Sequence, residues 1–210
     1  MKILVFGDSI AFGVWDKKGG WVQKLREFFD EKTLDKNTDF YCLTFNLGIS
    51  GNTTQDLLER FEFELKQRID EELLIIFEVG INDSGILDET KEFWVPPEKF
   101  EENIKNLIGI SKKYTNKIIF LGLTPVEESK VSPFHGGKDI YYKNENIKKY
   151  NNIIKSVCED NKIYFIELIE KWDKMNYFKL LEDGLHPNSE GHEKIYEIVK
   201  EFLIKNEVIL

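Results

Sequence analysis

Ile3-Leu4-Val5-Phe6-Gly7-Asp8-Ser9 opens the chain with an unbroken apolar run that stops at a glycine, an aspartate and a serine. A strand with one solvated face would alternate apolar with polar residues. A continuous run of this length, ended by a turn signal, reads as a strand covered on both faces, as in a parallel sheet. Similar runs recur at 40–47, 73–79, 117–123 and 163–167.

Between these runs, apolar residues recur at helical spacing. Trp21, Val22, Leu25, Phe28 and Phe29 share one face; Leu57, Leu58, Phe61 and Leu65 share a second. Phe100, Ile104, Leu107 and Ile108 form a third, Ile147, Tyr150, Ile154 and Val157 a fourth, and Ile195, Ile198, Val199, Phe202 and Leu203 a last. Alternating strands and helices joined by right-handed crossovers predict an α/β fold. The expected architecture is a flavodoxin-like three-layer α/β/α sandwich with about five mainly parallel strands. No repeat or Pro/Gly-rich linker divides the chain, and 210 residues suit one core better than two, so 1–210 is expected to form one domain. Two long connections, 84–97 and 124–142, should emerge at the carboxyl edge of the sheet, where open α/β folds place ligands.

Composition narrows the function classes. With 41% hydrophobic and 32% charged residues and a net charge of −9, the chain reads as globular, and it lacks the basic stripe of a nucleic-acid binder. The same charge disfavours anionic membranes, and no apolar run approaches a membrane span. The opening apolar run is shorter than a secretory signal, so a cytoplasmic location is expected. Cys42 and Cys158 lie in unrelated segments and read as buried reduced thiols. No His, Cys and Asp/Glu spacing suggests a metal site, and no phosphate-loop or dinucleotide glycine motif is present, so neither metal nor cofactor is expected. The tail Val208-Ile209-Leu210 is expected to dock on its own domain; the sequence does not specify an oligomeric state.

The candidate chemistry lies at strand ends. Ser9 can present its hydroxyl at the sheet edge with its own N–H facing an oxyanion, or it can simply cap the next helix. Gly51, in Asn46-Leu47-Gly48-Ile49-Ser50-Gly51-Asn52-Thr53, can offer an unpaired backbone N–H; otherwise the segment is a turn with a cap. Asn82, in Gly80-Ile81-Asn82-Asp83, can donate its amide without titrating, or form an Asx-turn. In Asp183-Gly184-Leu185-His186-Pro187, carboxylate and imidazole can meet across a turn, with Asp183 on Nδ1 and Nε2 left for a serine; a salt-bridged surface turn is the alternative. Thr124-Pro125 is expected to shape the mouth of the site and is assigned no chemistry. His192 reads as packing or capping, and His135 as an exposed loop residue.

Taken together, the motifs resemble the SGNH hydrolases, the GDSL-type lipase/acylhydrolase family, from Met1 to about Val199. The resemblance implies Ser9 as nucleophile, Asp183 and His186 as its triad partners, and an oxyanion hole of Ser9, Gly51 and Asn82. Ile10 stands where the family's eponymous motif has Leu and keeps the apolar anchor. The implied activity is hydrolysis of a small-molecule carboxylic ester (short acyl, aryl or acetylated sugar) through an acyl-enzyme on Ser9. Acyl transfer by the same triad, and a non-catalytic flavodoxin-like binding module, are the competing readings. Trp15, Phe93, Trp94, Phe134, Tyr141 and Tyr142 are expected near the pocket, with some only packing under the loops.

Overall fold

The computed structural model describes residues 1–69, 72–135 and 139–209, with the side chain of His135 outside that description. The elements are β1 (Lys2–Gly7), α1 (Ser9–Phe12), α2 (Gly20–Thr33), β2 (Leu43–Gly48), α3 (Thr54–Lys66), β3 (Leu73–Glu78) and β4 (Ile86–Leu87). They continue with α4 (Pro97–Ser111), β5 (Ile118–Leu121), α5 (Glu128–Val131), β6 (Phe134–His135), β7 (Asp139–Tyr141) and α6 (Asn144–Asn161). The chain closes with β8 (Tyr164–Ile166), α7 (Ile169–Asp173), a 3₁₀ turn at Tyr177–Leu180 and α8 (Ser189–Lys205).

Five strands form the main sheet in the order β2-β1-β3-β5-β8, and every pairing is parallel. Counting only these strands, this is the flavodoxin-type order, whose switch point lies between β1 and β3. Ile3–Phe6 and Leu73–Phe77 are almost wholly inaccessible to solvent, as two-sided coverage demands. On the helical layers, α2 packs with α8, α3 with α4 and α4 with α6. The expected faces point inward: Trp21, Leu57, Phe61, Phe100, Ile104, Ile147, Tyr150, Ile195 and Val199 are all buried.

Strand bounds differ from the sequence reading where apolar residues run past the ladder. The 40–47 run pairs only from Leu43, and 117–123 and 163–167 shorten to Ile118–Leu121 and Tyr164–Ile166. The two long connections also contain structure of their own, a small sheet in the order β4-β7-β6. Its strands are too short to show a period of two. Val208 and Ile209 are buried against the chain's own core, and Lys117 Nζ donates to the Val208 carbonyl, while Leu210 lies outside the described residues. Among the described residues no helix is long and apolar enough to cross a membrane.

Gly7 marks the end of β1. It pairs with Gly48 on one side and Glu78 on the other, and a Cβ there would lie 2.1 Å from the Glu78 carbonyl oxygen. Only glycine lets the three strand ends converge this closely, which brings their following loops to one edge.

Candidate active site

At that edge Asp8, not Ser9, caps α1. Its Oδ1 accepts the Ile10 N–H at 3.0 Å, so Ser9 becomes the first helical residue and its hydroxyl is not used in capping. The capping alternative for Ser9 is thereby replaced. Instead, Ser9 Oγ lies 2.9 Å from His186 Nε2, across 177 positions of sequence.

His186 sits in a tight turn closed by the Glu182 N–H on the His186 carbonyl, with Gly184 at φ 94° inside it. Asp183 Oδ1 accepts the backbone N–H groups of Leu185 and His186, and its Oδ2 lies 2.7 Å from His186 Nδ1. An ionised carboxylate only accepts, so Nδ1 carries the ring proton and a neutral ring leaves Nε2 as acceptor toward Ser9. Burial alone would raise the Asp183 pKa. The hydrogen bonds and charge of His186, with the turn's N–H groups, outweigh it and hold the carboxyl well below the usual range. The turn does carry the Asp183–His186 contact that the surface-turn alternative needs, but His186 itself is buried beside Ser9.

Sequence reasoning missed one partner. Trp15, read only as a possible pocket aromatic, donates its indole N–H to Asp183 Oδ2 at 2.8 Å. Its ring stands edge-on to the imidazole at 6.2 Å, and Phe134 flanks His186 at 5.9 Å. Nothing in the linear sequence links Trp15 to a residue 168 positions away.

Gly51 and Asn82 follow β2 and β3 and face the same space. Gly51 adopts φ 82°, a left-handed conformation that an L side chain rarely takes. The turn alternative is also present: Thr53, two residues on, caps α3 in a reciprocal capping box with Asp56. Asn82 donates through Nδ2 to the Asn52 carbonyl at 2.9 Å, and its Oδ1 accepts the Tyr142 hydroxyl at 3.0 Å. These two partners fix the carboxamide's orientation and leave the second Nδ2 proton for the cavity.

Behind the nucleophile lie three buried carboxyls. Burial, then the charge of Asp83, drives Asp8 upward against the Ile10 N–H, and burial, then the charge of Asp8, drives Glu78 upward; among the described residues Asp8 Oδ2 and Glu78 Oε2 have no hydrogen-bond partner. Burial pushes Asp83 up to about 7 against the opposing hydrogen bonds of Thr54.

A cavity of about 350 Å³ opens over Ser9. Gly51, Asn82 and His186 line its polar side, and Trp94, Phe134, Ile140, Tyr142 and Leu185 its apolar side. Of the other expected aromatics, Phe93 packs on Tyr150 and Tyr141 lies under Lys91. His192 is fully buried with Nε2 3.4 Å from the Val14 carbonyl, and burial lowers its pKa to about 4, as a packing residue requires. Cys42 and Cys158 are buried, and burial pushes their thiols up to about 11 and about 12, which disfavours the thiolate. Among the described residues no group of three or more His, Cys, Asp or Glu side chains is placed to hold a metal ion.

The sequence model of the GDSL-like Lipase/Acylhydrolase family matches residues 5–194. The chain is 25% identical over 207 residues to the human isoamyl acetate-hydrolyzing esterase 1 homolog, covering 93% of this chain and 78% of that one. It is 26% identical over 213 residues to an arylesterase of Vibrio mimicus, covering 98% and 89%. In structure it resembles the lipase/acylhydrolase from Enterococcus faecalis, with a TM-score of 0.75 at 21% identity over 96% of this chain and 94% of that one. At that identity the structural likeness speaks for the fold alone.

Proposed function

The chain belongs to the GDSL-like lipase/acylhydrolase family and is a carboxylic ester hydrolase, and from that premise we propose that Ser9, His186 and Asp183 form its catalytic triad. The observation that carries this reading is the continuous path from Ser9 Oγ through the His186 ring to Asp183, at 2.9 Å and 2.7 Å. Residues 1–210 act as one catalytic domain, because the triad needs both ends of the chain.

His186 Nε2 takes the Ser9 proton as Oγ attacks the ester carbonyl. Asp183 stays ionised, keeps the ring in the Nδ1–H tautomer and stabilises the imidazolium. The oxyanion forms beside the Ser9 and Gly51 N–H groups and the Asn82 amide. As a first-turn group, the Ser9 N–H is one of the donors a helix leaves without an internal acceptor. The intermediate collapses, the alcohol leaves with the proton from His186, and the acyl group remains on Ser9. Water then attacks that acyl carbonyl, gives its proton to His186 and releases the acid, and Ser9 recovers its hydrogen.

The substrate is a small ester: short acyl, aryl or acetylated sugar. The cavity's size and its mixed wall of Trp94, Phe134, Leu185 and Asn82 support this, as do the acetate and aryl esters named for the human and Vibrio relatives. The test is turnover of p-nitrophenyl esters from acetate to octanoate by wild type and folded Ser9→Ala. Best rates at acetate to butyrate, abolished by the substitution, are expected. Undiminished rates in Ser9→Ala would overturn the assignment.

A further inference from the structure

We infer that Trp15, outside the triad, is a positioning residue that holds Asp183 through its indole N–H. This rests on the triad proposed above. Asp183 Oδ2 receives two donors, His186 Nδ1 at 2.7 Å and Trp15 Nε1 at 2.8 Å. The donors to Oδ1 come from the carboxylate's own turn, at Leu185 and His186. Trp15 instead reaches it from the loop that follows the nucleophile helix.

Two oddities of Trp15 are explained together by that bond. Its backbone sits at φ 67°, where a bulky L residue is strained, and this large apolar residue is 62% exposed. Neither favours tryptophan at this position on packing grounds. Strain held in place at a functional site is what an orienting contact leaves behind.

The loop is also held firmly from outside. Buried Asp16 accepts the N–H groups of Lys18 and Gly20 and the hydroxyl of Ser189 at 2.8 Å. His192 Nε2 faces the Val14 carbonyl. Ser189 and His192 both lie on α8, three and six residues after His186. Both ends of the Trp15–Asp183 bond are therefore tied to the same stretch of chain.

The chemical consequence follows from hydrogen bonding to a charged form. An extra N–H donor makes the carboxylate a weaker acceptor toward His186 and fixes its rotamer. Without it, Asp183 attracts the imidazolium more strongly, and the ring loses part of its alignment to Ser9. Other charged or titratable groups near the dyad are His192 on α8, Asp16 on the loop, the Lys130–Glu127 pair of α5 and its entry, and Asp8 behind Ser9. All of them remain when Trp15 alone is changed.

The test is Trp15→Phe, which keeps a ring and removes the donor, followed by kcat, KM and the pH profile on p-nitrophenyl acetate. We expect kcat to fall about ten-fold with KM within about two-fold, since a bond to a charged group is lost. The acid limb of kcat/KM should move to higher pH. A merely structural rim residue would leave that limb in place, and an unmoved limb overturns the inference. A second measurement needs no turnover: the indole ¹H–¹⁵N signal of Trp15 in Ser9→Ala, assigned by its loss in Trp15→Phe. It should shift as the histidine titrates and stop doing so in Asp183→Asn; a signal indifferent to pH also overturns the inference. Failure of the triad itself would appear separately, as full activity in Ser9→Ala.

Discussion

The Tyr142 hydroxyl donates a 3.0 Å hydrogen bond to Asn82 Oδ1, joining the end of the small sheet to the turn after β3. Burial raises the phenol's pKa far above neutrality, so it remains a donor at every working pH. With the Asn52 carbonyl on Nδ2, this bond sets which end of the Asn82 carboxamide faces the cavity. Tyr142→Phe should lower kcat about five-fold and also lower Tm, because a buried carbonyl loses its donor at about 1–3 kcal/mol. Steady-state kinetics and a thermal melt of the same variant check both.

Removing the amide itself should be more damaging to catalysis than to folding. Asn82→Ala is expected to reduce kcat by about 10²–10³ with a small change in KM, the usual scale for one oxyanion donor. An unchanged kcat would take Asn82 out of the oxyanion hole.

Gly51 separates backbone conformation from space. Among the described residues a Cβ at this position meets nothing within 4 Å, yet φ is 82°. Gly51→Ala should therefore destabilise by about 1–2 kcal/mol through backbone strain alone. It should also lower kcat as the N–H turns away from the cavity. Chemical denaturation and turnover measured together distinguish this from a simple clash.

The buried carboxyls give a pH dependence of stability with a definite sign. Asp83 titrates near 3.8 when unfolded and near 7 in the fold, so the folded state holds an extra proton between about pH 4 and 7. Stability falls as pH rises through that window and levels off above it. The Asp8–Glu78 pair acts in the same direction. Asp183, held below its ordinary value, acts oppositely: its contribution is full above about pH 4 and is lost as acid protonates it. Glu78→Gln replaces an unpartnered oxygen with a donor and removes a carboxyl that must take up a proton to be buried beside Asp8. Its Tm at pH 8 should rise by roughly 2–4 °C, with a flatter slope from pH 5 to 8 than wild type.

How far the sequence could be read depended on whether each signal was local. The five main strands and the inward helix faces are legible because burial on both sides of a sheet writes itself as unbroken apolar runs. Ser9, Gly51, Asn82, Asp183 and His186 are legible as candidates because each sits at a strand end or a tight turn with its own spacing. Trp15 is not, since its partner lies 168 positions away and its φ depends on a loop pinned by Asp16 and Ser189. The same holds for the Asp8–Glu78 pair, which meets only when β1 and β3 align. The small sheet of β4, β6 and β7 escapes because strands of two or three residues show no period.

The most direct test of the central claim is covalent. Reaction of the folded protein with an alkyl fluorophosphonate, followed by peptide mass mapping, should give one adduct on Ser9. The adduct should be absent in Ser9→Ala and slowed at least about ten-fold in His186→Ala. An unlabelled Ser9 in the wild type, or equal labelling with and without His186, would contradict the assignment of Ser9 as an activated nucleophile.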